Sequence, residues 1–276
     1  MILTKRSKKP SGRNRSGTSG LFFLLVVGLS LPFWLLGEWM ALQMLPDLPI
    51  DALMVICPAA AALILTDRQQ GKAALIRLLR SGTDWASVRP KVRYVPILLT
   101  MPAVSLLAFC WLRWSGVDVP LPHFTMMQFL IYLLLFTVGS WCEEIGWTGY
   151  ATEPLMRRFG VFGTSLVLGL FSVAYHLIPL LQVGGSAEWI FWWSCGTIAL
   201  RVLMAKLYLI SGRSLVSAIL FHMTINMTWQ LFPINGSYYD PAVTSVLVVL
   251  FAIGIAVYYG PHRPSRHKAD SVSDSD

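Results

Sequence analysis

Apolar residues gather into eight runs along this chain, near 20–37, 50–66, 94–112, 124–142, 161–181, 189–210, 214–232 and 242–259, separated by short polar connections. A run of about 20 apolar residues in a helix rising ~1.5 Å per residue crosses a hydrocarbon layer ~30 Å thick, so the pattern predicts eight membrane-spanning helices. Two runs fit less well: the second is brief and holds Pro58, and the seventh contains His222, Thr224 and Asn226. Seven spans is therefore the nearest rival count. Between the second and third runs, GKAALIRLLR sets Lys72, Arg77 and Arg80 among apolar positions at helical spacing. That spacing predicts an amphipathic helix lying along the headgroups, with a solvated basic loop as the competing reading. The first run follows a basic stretch from Lys5 to Arg15, as in a secretory signal, but no small-x-small cleavage site follows it, so it reads as a retained span. Residues 1–19 then form a basic tail, 20–260 one transmembrane helical domain, and 261–276 a Ser/Asp-rich disordered tail. No internal repeat and no separable soluble domain interrupts this plan.

Composition agrees with an all-α polytopic membrane protein, since 55% of the 276 residues are hydrophobic and only 13% are charged. The formal net charge of +8 would suggest nucleic acid in a soluble protein. Its distribution argues against that partner. Arg68, Lys72, Arg77, Arg80, Arg89, Lys91 and Arg93, then Arg157 and Arg158, then Lys206 and Arg213, and both tails, all fall on one side of an eight-span layout. The loops 38–49, 113–123, 182–188 and 233–241 carry Glu38, Asp47, Asp118, Glu188 and Asp240 but a single cation, Arg113. By the positive-inside bias both termini are expected in the cytoplasm. Short loops and one compact membrane domain suggest a bacterial plasma membrane. The four cysteines lack Cys-x-x-Cys spacing and read as buried thiols. Tryptophans near span ends read as interfacial anchors.

The candidate chemistry lies inside these runs. An ionised carboxylate at mid-membrane costs roughly 2.5–3.5 kcal/mol on insertion scales, yet Glu143 and Glu144 stand side by side directly after the run 124–142. Taking Arg157, Arg158 and Arg213 as surface markers, Glu143, His176 and Asn226 lie about 21, 27 and 20 Å deep by helix rise, and His222 about 14 Å. Gly160 shortens the true depth of His176, so all four can share one layer on three helices. His222 and Asn226 are four apart and share a helical face, where their N–H donors could hold an oxyanion. Glu143 with His176 could grip and deprotonate a water. Each polar residue alone reads more simply as interhelical hydrogen bonding; it is their convergence that points to a hydrolytic site.

WCEEIGWTGYATEPLMRRFG, LGLFSVAYHLIPL and SLVSAILFHMTIN, in that order, resemble the motifs of the CaaX-protease and bacteriocin-processing (CPBP or Abi) family of intramembrane peptidases, over a core of about 124–232. The resemblance implies an intramembrane endopeptidase acting on a membrane-associated or lipidated protein or peptide. It carries the water-activating base onto Glu143, its partner on the water onto His176, oxyanion stabilisation onto His222 and Asn226, and a supporting carboxylate onto Glu144. Two positions depart from the pattern. The family commonly reads Glu-Glu-x-x-x-Arg, but Thr148 stands in the arginine slot, one helical turn from Glu144. The second motif commonly has an aromatic residue four before its histidine, but Ser172 stands there, with Phe171 displaced by one. Many members are labelled metalloproteases, and Glu143, His176 and His222 would be the ligands of a zinc ion. Against zinc, there is no His-Glu-x-x-His and asparagine is a poor ligand, so a metal-free mechanism is favoured. Two other functions remain open: a catalytically silent scaffold or immunity protein, which Thr148 keeps in play, and a proton-coupled transporter, for which paired broken helices are lacking.

Overall fold

A computed structural model describes residues 17–40, 43–45, 48–233 and 236–259. The expected basic tail up to residue 16 and the expected disordered tail 261–276 lie outside these described residues. The protein is an all-α membrane bundle, and each of the eight apolar runs is helical. In chain order these are α1 (Gly17–Met40), α2 (Ile56–Gln70, entered through a 3-10 turn at Ile50–Val55), α4 (Tyr94–Trp114), α5 (Met126–Glu144), α6 (Glu153–Gln182), α7 (Ala187–Ile210), α8 (Leu215–Leu231) and α9 (Pro241–Tyr259). A short antiparallel ribbon, β1 (Gln43–Leu45) with β2 (Leu48–Pro49), joins α1 to α2. The remaining helix, α3 (Lys72–Ser81), is the amphipathic one: of its residues only Ala74 is buried. Gly71, at φ 78° and ψ 174°, makes the break between α2 and α3 in a backbone region open to glycine but not to other residues.

By length and apolarity, six stretches among the described residues can cross a membrane, one of them the 57-residue run Met126–Gln182. That run is long enough to cross twice. It is continuous in hydrogen bonding, but Gly160 (φ 69°, ψ −177°) breaks the helix and the chain doubles back. The Trp147 ring consequently lies 5.7 Å from Phe171 and 5.6 Å from Tyr175. α8 has 17 residues, and 12 of them are buried, because it packs among α4, α5 and α7. Protein rather than lipid surrounds it, which is how it accommodates polar side chains. α1 and α9 lie at the periphery, where most of their surface is left for lipid. Trp39, Trp111 and Trp114 are exposed at helix ends as anchors, whereas Trp147 is buried in the core.

Candidate active site

The site begins where α5 ends. Directly after Glu144 the chain widens into a π-helical stretch, Ile145–Thr152, a geometry often found at functional sites. The Thr152 hydroxyl donates to the Trp147 carbonyl at 2.9 Å and so satisfies one of the groups the widened turn frees. Gly146 permits close packing on α2: a Cβ there would stand 2.6 Å from the Pro58 carbonyl oxygen.

The two glutamates have different surroundings. Glu143, 3% exposed, accepts a hydrogen bond from Trp147 Nε1 at 2.9 Å on Oε2. That is the bond the described residues give its carboxylate. Glu144 is fully buried and heavily bonded. Its Oε1 accepts from Arg201 Nη1 and His222 Nδ1, both at 2.8 Å, and its Oε2 accepts from the Thr148 hydroxyl at 2.5 Å. A guanidinium is always protonated, so this is an ion pair buried between α5 and α7. Removing one partner of such a pair costs on the order of 3–5 kcal/mol, because the other charge is left unpaired. Arg201 also donates through Nε to Ser172 Oγ at 3.1 Å. Ser172 in turn accepts a bond from His176 Nδ1 on its carbonyl oxygen at 2.8 Å. One hydrogen-bonded chain thus runs His222–Glu144–Arg201–Ser172–His176.

These partners decide the tautomers. A carboxylate and a backbone carbonyl can only accept, so both Nδ1 atoms carry hydrogen, and Nε2 is the free ring nitrogen of both His176 and His222. Both imidazoles line a cavity of about 840 Å³ that also reaches Ser172, Arg201, Met204 and Asn226. From there it widens toward the ends of α1, α6 and α8, where Glu38, Val183, Trp189, Tyr238 and Asp240 line it. The opposite end of the bundle is closed. There Ser87 Oγ and Ser214 Oγ are 2.6 Å apart, Arg89 N–H donates to the Ser211 carbonyl at 3.2 Å, and Arg213 pairs with Glu153.

Of the residues expected from sequence, His176, His222 and Asn226 face one cavity, and Glu144 with Thr148 sits directly behind His222. Glu143 is not on the cavity wall. The residue that sequence reasoning missed is Arg201. Its signal was present, as a lone arginine in the middle of the apolar run 189–210.

Residues 125–228 match the family model described as Rce1-like, type II CAAX prenyl endopeptidase Rce1-like. The chain is also 28% identical over 182 residues to CAAX prenyl protease 2 of Methanococcus maripaludis, which covers 60% of this chain and 66%, just under two thirds, of that protein. The Rce1-like stretch runs from the cap of α5 nearly to the end of α8. It contains the hydrogen-bonded chain whole, Arg201 included.

Proposed function

We propose that this protein is an intramembrane endopeptidase of the CaaX type, acting on a lipidated or membrane-associated polypeptide. The observation that carries the reading is the convergence of His176, His222 and Asn226 on one cavity, with both imidazoles oriented by fixed bonds at Nδ1. A water held at His176 Nε2 attacks the scissile carbonyl carbon, and its proton passes to Glu143. Because Glu143 stands behind the wall, this transfer runs through the water and His176 rather than by direct contact with substrate. The Asn226 amide donates to the resulting oxyanion. His222 joins it when Nε2 is protonated, its other N–H remaining on Glu144. The proton returns by the same route, from His176 Nε2 to the leaving nitrogen, as the C–N bond breaks and the carbonyl re-forms, and Glu143 and His176 end as they began.

The donor set does not fit a catalytic zinc, which takes three protein ligands. Among the described residues no three His, Cys, Asp or Glu side chains gather closely enough to hold a metal ion. The proposed mechanism therefore uses protein groups alone.

Purified protein in detergent is expected to cleave a lipidated reporter peptide, and Glu143→Ala and His222→Ala to abolish cleavage at an unchanged melting temperature. Full activity in Glu143→Ala would sink the reading. With both termini cytoplasmic, the wide mouth faces the exterior of the cell. In a Cys110→Ser background, Val183→Cys should then react with an impermeant maleimide on intact cells, and Thr83→Cys only after permeabilisation. The reverse pattern would turn the mouth toward the cytoplasm.

A further inference from the structure

We infer that Arg201 is a positioning residue for both histidines, acting through Glu144 and Ser172, and that it supplies from α7 the cation that a Glu-Glu-x-x-x-Arg pattern would supply from position 148. The inference rests on the hydrolytic reading above. Its structural basis is that Arg201 bonds both Glu144, which holds His222, and Ser172, which holds His176, and that the side chains at the two departing positions, 148 and 172, both bond this ion pair.

At position 148, threonine gives Glu144 a hydroxyl at 2.5 Å but no charge. A carboxylate with no exposure cannot stay ionised in a bundle core without a cation. Arg201 is that cation, 8% exposed and 2.8 Å from Oε1. At position 172, serine is 2% exposed and its hydroxyl receives the Arg201 Nε–H. An aromatic ring at 172 would fill the space beside this guanidinium. Threonine at 148, serine at 172 and arginine at 201 are therefore mutually consistent around a single carboxylate.

The geometry gives the arginine more than neutralisation to do. It bonds the same oxygen of Glu144 that receives His222 Nδ1–H, which stops the carboxylate from rotating away from the imidazole. Through Ser172 it also steadies the residue whose carbonyl holds His176. One side chain on α7 thus sets the rotation of two rings on α6 and α8. Arrangements behind a reactive imidazole typically influence activity by about 10–100-fold.

The test combines a spectroscopic signature with kinetics. In full-length protein with labelled histidine ring nitrogens, His222 should give a protected Nδ1–H resonance, assigned by its absence in His222→Gln. Arg201→Leu should lose that resonance, and the Arg201→Leu/Thr148→Arg/Ser172→Phe triple variant should regain it. Turnover of the lipidated reporter should fall about 10–100-fold and recover in parallel, with KM changed much less. If Arg201→Leu does not fold, Arg201→Leu/Glu144→Gln, which buries no charge, replaces it and should show the same fall in kcat. A wild-type resonance that is absent, or kcat within twofold of wild type in whichever of these two variants folds, overturns the inference. So does a triple variant that melts with wild type but stays as slow as the variant lacking Arg201. A protein that shows the resonance and its dependence on Arg201 yet cuts no peptide instead refutes the hydrolytic reading and leaves the positioning role standing.

Discussion

The two ends of the bundle are built differently. At the basic end, side chains of α3, α8 and the 82–93 connection interlock, Val88 is fully buried, and the gap that remains is about 170 Å³. At the acidic end, α1, α6 and α8 diverge around the cavity of about 840 Å³ that leads to the histidines. Glu144 and Thr148 lie near the division, and Thr148 lines the small gap while its hydroxyl bonds the carboxylate. The site is thus a dead-end chamber: substrate and water share one approach, and the charges behind His222 are shielded from the basic surface by roughly one side chain. Shielding of this kind strengthens the hydrogen bonds of the site, because fewer waters compete for them.

The largest expected effect comes from the chamber's inner wall. Asn226→Ala removes the amide donor assigned to the oxyanion, and kcat for the lipidated reporter should drop about 10²–10³-fold with little change in melting temperature. A drop below tenfold would mean that the transition state lies elsewhere along the cavity. Next is the seam between α2 and the π stretch. Gly146→Ala places a Cβ 2.6 Å from the Pro58 backbone oxygen, which cannot yield, so stability should fall by about 1–3 kcal/mol in a reversible unfolding assay. Gly139 is the internal control. Its Cβ would meet only Val55 at 3.9 Å, and Gly139→Ala should gain about 0.5–1 kcal/mol from helix propensity. Equal responses at the two glycines would mean that the seam is looser than its distances indicate.

Much of this arrangement is legible in the amino-acid pattern, because lipid imposes a simple length rule. The eight apolar runs are helices, and the basic spacing of Lys72, Arg77 and Arg80 marks the amphipathic α3. Depth reckoned from helix rise puts Glu143, His176, His222 and Asn226 in one layer; the last three line one cavity, whereas Glu143 is not on its wall. Two features escaped that reckoning. Within the π stretch Gly146 meets Pro58 across two helices, a contact no local pattern encodes. The partner of Glu144 was sought one turn away at position 148, where helix periodicity looks, whereas Arg201 stands on another helix, 2.8 Å from the carboxylate. Spacing along one helix reveals neighbours on that helix alone; charge balance across helices has to be asked of the whole apolar sequence, and a lone arginine at mid-span is the answer it returns.

The smallest expected effect lies at the closed end. Glu153 accepts from Tyr208 at 3.1 Å and pairs with Arg213, but the ion-paired side chains are 32% and 48% exposed, so water and salt screen them. Glu153→Gln should therefore cost less than about 1 kcal/mol, shrink further at high salt, and leave kcat unchanged. The same substitution tests what holds that end shut. If the interlocked backbone and the buried Val88 close it, reporter turnover and the labelling of Thr83→Cys stay as they were. If instead the ion pair is the latch, the loss exceeds 2 kcal/mol, and a cysteine placed at Thr148 becomes reactive from the basic side. That outcome would turn the dead-end chamber into a channel with two mouths, with the Glu144–Arg201 pair as its floor.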